Sequence, residues 1–512
     1  METENQMSGG LEHHMEINFE SREISVYREF LHTSRRTQES VECVVPDTDA
    51  DIEKIAAVQS EVFLKSKDLS ARGVIVSGEL SANVLYIREG QTGLSGLSLR
   101  KPFSLEFEAE GLESESLAQI TLLIQGTDVR ALNPRKLSVV FDVEGELSAY
   151  RVERLRTETA LPKDSSGLHA LTEERSLLLP NAVCEKSLAV NEQFPFTDGK
   201  AVPAALLSEK AELVISDCQL IGSKVIVKGS AELSVCALSA ERDEPCLYAF
   251  SAPFSQIVDV GIENMSCCTV RPEITGAYYD LVDTINGEKV LDMELHAVLQ
   301  LVCSERQNLR LISDVYSNLM PAELLVQTRS LELASPLLRK RLSTEEKIGL
   351  MEECREILCV LVSPTRISAD AGKLTGAVNL DILFKNGVGK LSAGRRTLTL
   401  EQPTEGAPLR ILTARVTQMS ARPDGENAEC SLTMELGCLA GEKTELRNIE
   451  GVILDEDAPY IQESLPTLTL VRAGGESLWA LARRYHSSVE KIRESNEDAE
   501  NTTRMLLIPK CL

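Results

Sequence analysis

One pattern recurs three times in this chain of 512 residues and limits what it can fold into. Residues 73–87 (GVIVSGELSANVLYI), 223–238 (SKVIVKGSAELSVCAL) and 371–384 (AGKLTGAVNLDILF) each alternate apolar and polar residues around a glycine. The glycines, Gly78, Gly229 and Gly376, lie 151 and 147 residues apart. So long and near-constant an offset predicts three copies of a whole domain, not the short stacked units of a solenoid. In the first copy Val74, Val76, Leu80, Ala82, Val84 and Tyr86 fall on one face, with Ser77, Glu79, Ser81 and Asn83 on the other. The second and third copies repeat the division, which is that of a long strand with one face buried. Each glycine falls on the apolar face, where a missing side chain predicts a bulge, a bend or the close approach of another strand.

The segments after each of these strands recur as well. Stretches at 103–111, 254–261 and 396–406 precede further alternating segments at 137–150, 290–302 and 429–438. Asn286-Gly287 and Asn386-Gly387 are hairpin signals. Upstream, 46–64 and 196–215 form matching lead-ins, while 342–361 (LSTEEKIGLMEECREILCVL) reads as more helical. Each unit is therefore expected to be a short helix or turn followed by an antiparallel β-sandwich or barrel. The divisions read are a polar arm at 1–40, with a short helix or strand near 24–31, and domains at 41–155, 156–320 and 321–460. Segments 154–190 and 321–347 read either as connectors packed on their neighbours or as ordinary extra strands.

Charge narrows the partners. Asp and Glu exceed Lys and Arg, giving a net charge of −26, which disfavours nucleic acid and anionic membrane surfaces. No run of 18 apolar residues exists, so no integral membrane segment is read. The amino terminus has neither a basic nor an apolar leader region, and the expectation is a chain that stays in the cytosol. The 13 cysteines lack CxxC spacing. In a reducing compartment they read as small buried hydrophobes, with late oxidative cross-linking as the alternative. Neither a metal site nor a cofactor is read. Gly387-Val388-Gly389-Lys390 lacks the first glycine and the Ser or Thr of a phosphate loop and reads as a hairpin tip. No spacing of His, Ser, Cys or carboxylates selects a catalytic group, so the chain is read as not an enzyme.

Residues 467–512 form a different unit. Residues 467–471 alternate as a strand, Gly474-Gly475 is a turn, and Ser477 is a candidate N-cap. Leu478, Leu481, Ala482 and Tyr485 then stand at the spacing of an amphipathic helix. His486-Ser487 breaks it, and Ser487 with Glu490 has capping-box spacing before a second helix. Asn496 ends that helix and 506–509 returns as a strand, giving the order βααβ. Gly475-Glu476-Ser477-Leu478-Trp479, Leu481-Ala482, Tyr485, Asn496 and Leu507-Ile508-Pro509 resemble the pattern of the LysM domain. The resemblance implies a groove for N-acetylglucosamine polymers between loops 473–479 and 496–505. Glu476 replaces the usual Asp, and Thr503-Arg504-Met505 replaces the usual Gly-Gln beside the second loop, which counts against glycan. The groove residues are Gly474, Gly475, Glu476, Ser477, Leu478, Trp479, Asn496, Arg504 and Met505, with the sole tryptophan as an apolar anchor.

The repeated strand, its lead-in and the Pro102-Phe103 and Pro253-Phe254 pairs, read as turns, resemble the SPOCS domain of clostridial spore coat assembly proteins. Three SPOCS-like domains followed by a LysM domain is the architecture of SipL-type coat morphogenetic proteins. The fold class expected is mainly β with a small α+β tail. The resemblance implies a non-enzymatic adaptor in the mother-cell cytosol, at the forespore surface. Its LysM domain would bind the stage IV sporulation protein A-like ATPase of the coat basement layer, and other coat proteins are further candidate partners. The competing readings are a peptidoglycan-binding protein and an unrecognised enzyme.

Overall fold

The computed structural model describes residues 14–511 apart from 91–92, 114, 164, 197–201, 242, 371, 406–408, 462–463, 498 and 501–503. Strands dominate, arranged as three-stranded antiparallel sheets. β1 (His14–Asn18) comes first in the chain, and the first unit holds β2 (Glu20–Val44), β3 (Ile52–Ser70), β4 (Gly73–Arg88), β5 (Leu94–Glu108), β6 (Leu117–Asn133) and β7 (Lys136–Ala160). Sheets β3-β4-β5 and β2-β7-β6 share one core, which includes Val74, Leu80, Phe103 and Phe141. The second unit repeats this with β8 (Leu168–Pro195), β9 (Pro203–Ile221), β10 (Lys224–Ser239), β11 (Pro245–Asp259), β12 (Met265–Asp283) and β13 (Lys289–Ser317). Its sheets are β9-β10-β11 and β8-β13-β12. The third holds β14 (Ala322–Leu333), β15 (Leu338–Gly349), β16 (Cys354–Asp370), β17 (Lys373–Asn386), β18 (Leu391–Pro403), β19 (Leu409–Asp424), β20 (Asn427–Ala440) and β21 (Glu442–Asp455). Sheets β16-β17-β18 and β15-β20-β19 face each other there. The long paired strands of the first two units are each cut in two in the third, at Pro336 and Gly441, and β1 joins the sheet β1-β21-β14. Proline has no N–H for the ladder, which accounts for the interruption on that side.

The lead-ins are strands, not helices. The segment 342–361, expected to be helical, runs from β15 into β16 through a sharp turn with Met351 at φ +69. Pairing with β20 and β17 overrides the local helical spacing. Residues 20–40 lie in β2 and pair with β7 along its length. The Pro-Phe pairs are also not turns. Pro102 and Pro253 lie inside β5 and β11, opposite Glu79 and Ser230. Both are edge strands, where a proline costs no second ladder bond.

The phenylalanines explain the recurring glycine. Phe103 faces Gly78 and Phe254 faces Gly229 across the sheet. A Cβ on Gly78 would stand 2.4 Å from the Phe103 ring, and one on Gly229 2.7 Å from the Phe254 ring and 2.3 Å from the Val214 carbonyl oxygen. In the third unit Leu400 takes the facing position and Met434 fills the space. The neighbouring lead-in strand also bulges opposite each glycine, at Lys65, Ser216 and Arg366-Ile367.

The units pack into one body. Leu85, Cys236 and Leu383, each seven residues after its glycine, are fully buried in a single core shared by all three. Leu155, Leu179, Leu309 and Leu446 form a second core shared by the three units. Buried polar contacts tie the seams. Gln300 bonds both the N–H and the carbonyl of Ile120 (2.8 and 2.7 Å), and Asp381 accepts from the Val58 N–H at 2.9 Å. Arg410 reaches from the third unit to Glu29 and Glu146 of the first, at 3.0 and 3.4 Å. Burial, reinforced by Arg410, pushes the adjoining His32 down to about 4.

Candidate interaction site in the C-terminal module

After residues 456–467 the chain forms β22 (Leu468–Arg472), α1 (Leu478–Arg484), α2 (Val489–Glu494) and β23 (Met505–Pro509), with β22 and β23 antiparallel. Gly474 and Gly475, at φ +61 and +91, make the turn into α1, and their missing side chains leave open space. Left-handed backbone of this kind favours glycine. Ser477 caps α1 by accepting from the Ala480 N–H. Leu478, Leu481 and Ala482 bury the expected face. The second cap falls one residue later than the spacing predicts: Ser488 accepts from the Lys491 N–H, while Ser487 donates to the Pro509 carbonyl. The cause is His486 at φ +52, which carries the chain one residue further before α2 begins.

The groove residues divide by environment. Gly474, Gly475, Ser477, Arg504 and Met505 are exposed. Glu476 pairs with Arg484 at 2.9 Å. Leu478 lies in the module's own core and supports the loop from beneath. Asn496 knits α2 to β23: its amide donates to the Ile492 and Leu507 carbonyls at 2.7 Å, and its oxygen accepts from the Leu507 N–H at 2.9 Å.

Trp479 is half-buried against the second unit. Its Nε1 donates to Asp314 Oδ2 at 2.8 Å, and its ring meets Tyr316 edge-on with centroids 4.7 Å apart. Arg483 joins the same carboxylate at 3.1 Å. Tyr316 belongs to the module's core cluster and donates its hydroxyl to the Ser487 carbonyl at 2.8 Å. A bulge in β13 between Ile312 and Asp314 aims the carboxylate at the module. Asp314 and Tyr316 give no sign in the sequence, because nothing local distinguishes them from other strand residues.

A second feature also escapes sequence reasoning. Thr469, Val471, Leu506 and Ile508 alternate with Leu468, Leu470, Met505 and Leu507 across the β22–β23 ribbon. The first set turns inward: Leu506 and Ile508 are buried. On the other face Leu468, Leu470 and Met505 are each about half exposed, beside Arg504. A contiguous apolar patch of this kind marks interaction surfaces. Residues 467–512 carry seven Lys and Arg against six Asp and Glu, so the net negative charge of the chain lies elsewhere. Among the described residues no cluster of three metal-ligating side chains forms, and no helix is long and apolar enough to cross a membrane.

Residues 51–132, which span β3 to β6 of the first unit, match the family model described as SipL, SPOCS domain. No curated protein and no solved structure matches the chain. Over the strands that hold Gly78 and Phe103 the chain thus matches the SPOCS domain of the SipL family, and this match supports a SipL-type spore coat protein.

Proposed function

We propose that the chain is a non-enzymatic adaptor of spore coat assembly, whose C-terminal module grips the coat basement layer while the three-unit body carries further coat material. The partner in this reading is the polymerising stage IV sporulation protein A-like ATPase, met on the mother-cell side of the forespore surface. The observation that carries the reading is the exposed apolar face of Leu468, Leu470 and Met505 beside the open turn at Gly474-Gly475. It lies on a near-neutral part of a strongly acidic chain, where charge repulsion does not oppose close contact. Trp479 serves this surface by holding the module in a fixed orientation on the body.

A pulldown tests the reading. The full chain is expected to retain the ATPase, and removal of residues 467–512 to abolish retention. Leu470→Glu is expected to weaken it at least tenfold with the fold intact. Retention by the truncated chain would sink the assignment. Retention of the full chain on insoluble peptidoglycan, lost on the same deletion, would favour the glycan reading instead.

A further inference from the structure

Where the three units meet, β3, β9 and β16 together with β6, β12 and β19 line a cavity of about 250 Å³. A dry cavity of about 150 Å³ accepts benzene, so this one has room for about ten non-hydrogen atoms. Most of its wall is apolar, with Phe63, Ile124, Ile215 and Ile274 among its side chains. The repeat sets its polar end. Strands β6, β12 and β19 each bulge, at Gln125, Thr275 and Thr417. Two residues before each bulge stand Leu123, Glu273 and Arg415, all on the cavity wall. One apolar, one acidic and one basic side chain thus occupy equivalent positions.

The cations of the wall are already engaged. Arg415 pairs with Glu435 at 2.8 Å, Arg339 donates to the Ile215 carbonyl at 2.8 Å, and Lys210 pairs with Glu212 at 2.7 Å. Two carboxylates are not. Glu273, only 8% exposed, accepts a single long bond from the Leu122 N–H at 3.4 Å. Glu61 accepts from the Ala211 N–H at 3.0 Å. Neither forms an ion pair, and each has an oxygen without a hydrogen-bond donor among the described residues. A carboxylate buried without an ion pair is costly in its charged form and is held protonated, and a cationic guest would stabilise the charged form.

We propose that this cavity is a binding site for a small organic amine, with its ammonium head held by Glu61 and Glu273 and an apolar body of up to about ten non-hydrogen atoms against the wall. The net charge of −26 favours the approach of such a cation and opposes that of an anion of the same size. Because strands from all three units line the site, occupancy ties them together and raises the stability of the whole body.

The test is calorimetric titration of the full chain with 2-phenylethylammonium, using 2-phenylethanol as the neutral isostere. The amine is expected to saturate a single site at least tenfold more tightly than the alcohol. Glu273→Gln and Glu61→Gln, which mimic the protonated acid and keep its shape, are each expected to weaken the amine about tenfold and leave the alcohol unchanged. Ile274→Phe, which fills the cavity, is expected to remove both. Absence of saturable binding, equal affinity for amine and alcohol, or undiminished amine binding in both Gln variants would overturn the proposal. The comparison of amine with alcohol on the unaltered chain decides the matter even where a variant folds poorly.

Discussion

Replacing Asp314 by Ala should free the C-terminal module without unfolding it. The carboxylate accepts from the Trp479 indole at 2.8 Å and from Arg483 at 3.1 Å. A hydrogen bond to a charged group contributes about 1.5–3 kcal/mol, and water can partly replace the acceptor at this half-buried site, so the low end, about 1.5 kcal/mol, applies. Arg483 is half exposed, which limits its bridge to about 0.5 kcal/mol. The sum, about 2 kcal/mol, shifts the docked-to-undocked ratio roughly thirtyfold. Trp479 is the only tryptophan, so emission reports this contact alone. The expected result is a red-shifted emission and faster proteolysis within 456–467, with the unfolding of the body unchanged. Tyr316→Ala should do more, because it removes a buried aromatic worth about 3–5 kcal/mol as well as the bond to the Ser487 carbonyl. Unchanged emission and unchanged cleavage in Asp314→Ala would show that the carboxylate does not hold the module.

The glycine positions should rank in a fixed order. Gly229→Ala drives a Cβ to 2.3 Å from a backbone oxygen and Gly78→Ala to 2.4 Å from a ring, so both should lose about 1–3 kcal/mol in denaturant titration, Gly229 the more. Gly376→Ala meets only the flexible end of Met434 and should cost least. Arg410→Ala leaves Glu29 and Glu146 without their shared cation and should destabilise by about 3 kcal/mol, read by the same titration. Burial, opposed by the Leu122 N–H, Arg271 and Lys67, pushes Glu273 up to about 8. Burial, opposed by the Ala211 N–H and Lys210 and reinforced by Glu209 and Glu212, pushes Glu61 up to about 7. Both favour the protonated native state, so their contribution is complete below the ordinary value of 4.5 and is lost as pH rises towards about 7 to 8. Glu273→Gln should flatten the fall in stability across that range, each unit of pH being worth about 1.4 kcal/mol; an unaltered profile would count against the burial of that carboxyl.

How far the sequence reaches depends on where the information sits. Alternation around Gly78, Gly229 and Gly376 locates β4, β10 and β17, because each buries one full face on its own facing sheet. The second face is less legible. Leu85, Cys236 and Leu383 look polar-side by parity, yet they are buried by contacts between units more than a hundred residues apart. The helical reading of 342–361 fails for a related reason: its spacing suits a helix, and only pairing with distant β17 and β20 makes it extended. In the tail, Gly474-Gly475, the Ser477 cap and the apolar stripe of α1 are local signals and locate the first helix. The use made of Trp479 is not local, since its acceptor lies 165 residues away.

The division of charge bears on how such an adaptor would work. With the tail near neutral, the acidic surface belongs to the body, and neighbouring bodies repel one another only within about a Debye length, roughly 8 Å at physiological salt. Tails gripping successive subunits of a polymer would therefore hold bodies side by side without driving them to aggregate in solution. A modest contact at each tail suffices when many act on one polymer, because every bound copy raises the effective concentration of the next wherever the bodies are themselves linked. The Asp314–Trp479 clasp matters in this setting because a module fixed on its body spends less orientational freedom on binding than one on a loose tether. Asp314→Ala should then weaken capture by the polymerised partner more than capture by its isolated subunit. Equal weakening in the two measurements would assign the clasp to stability alone.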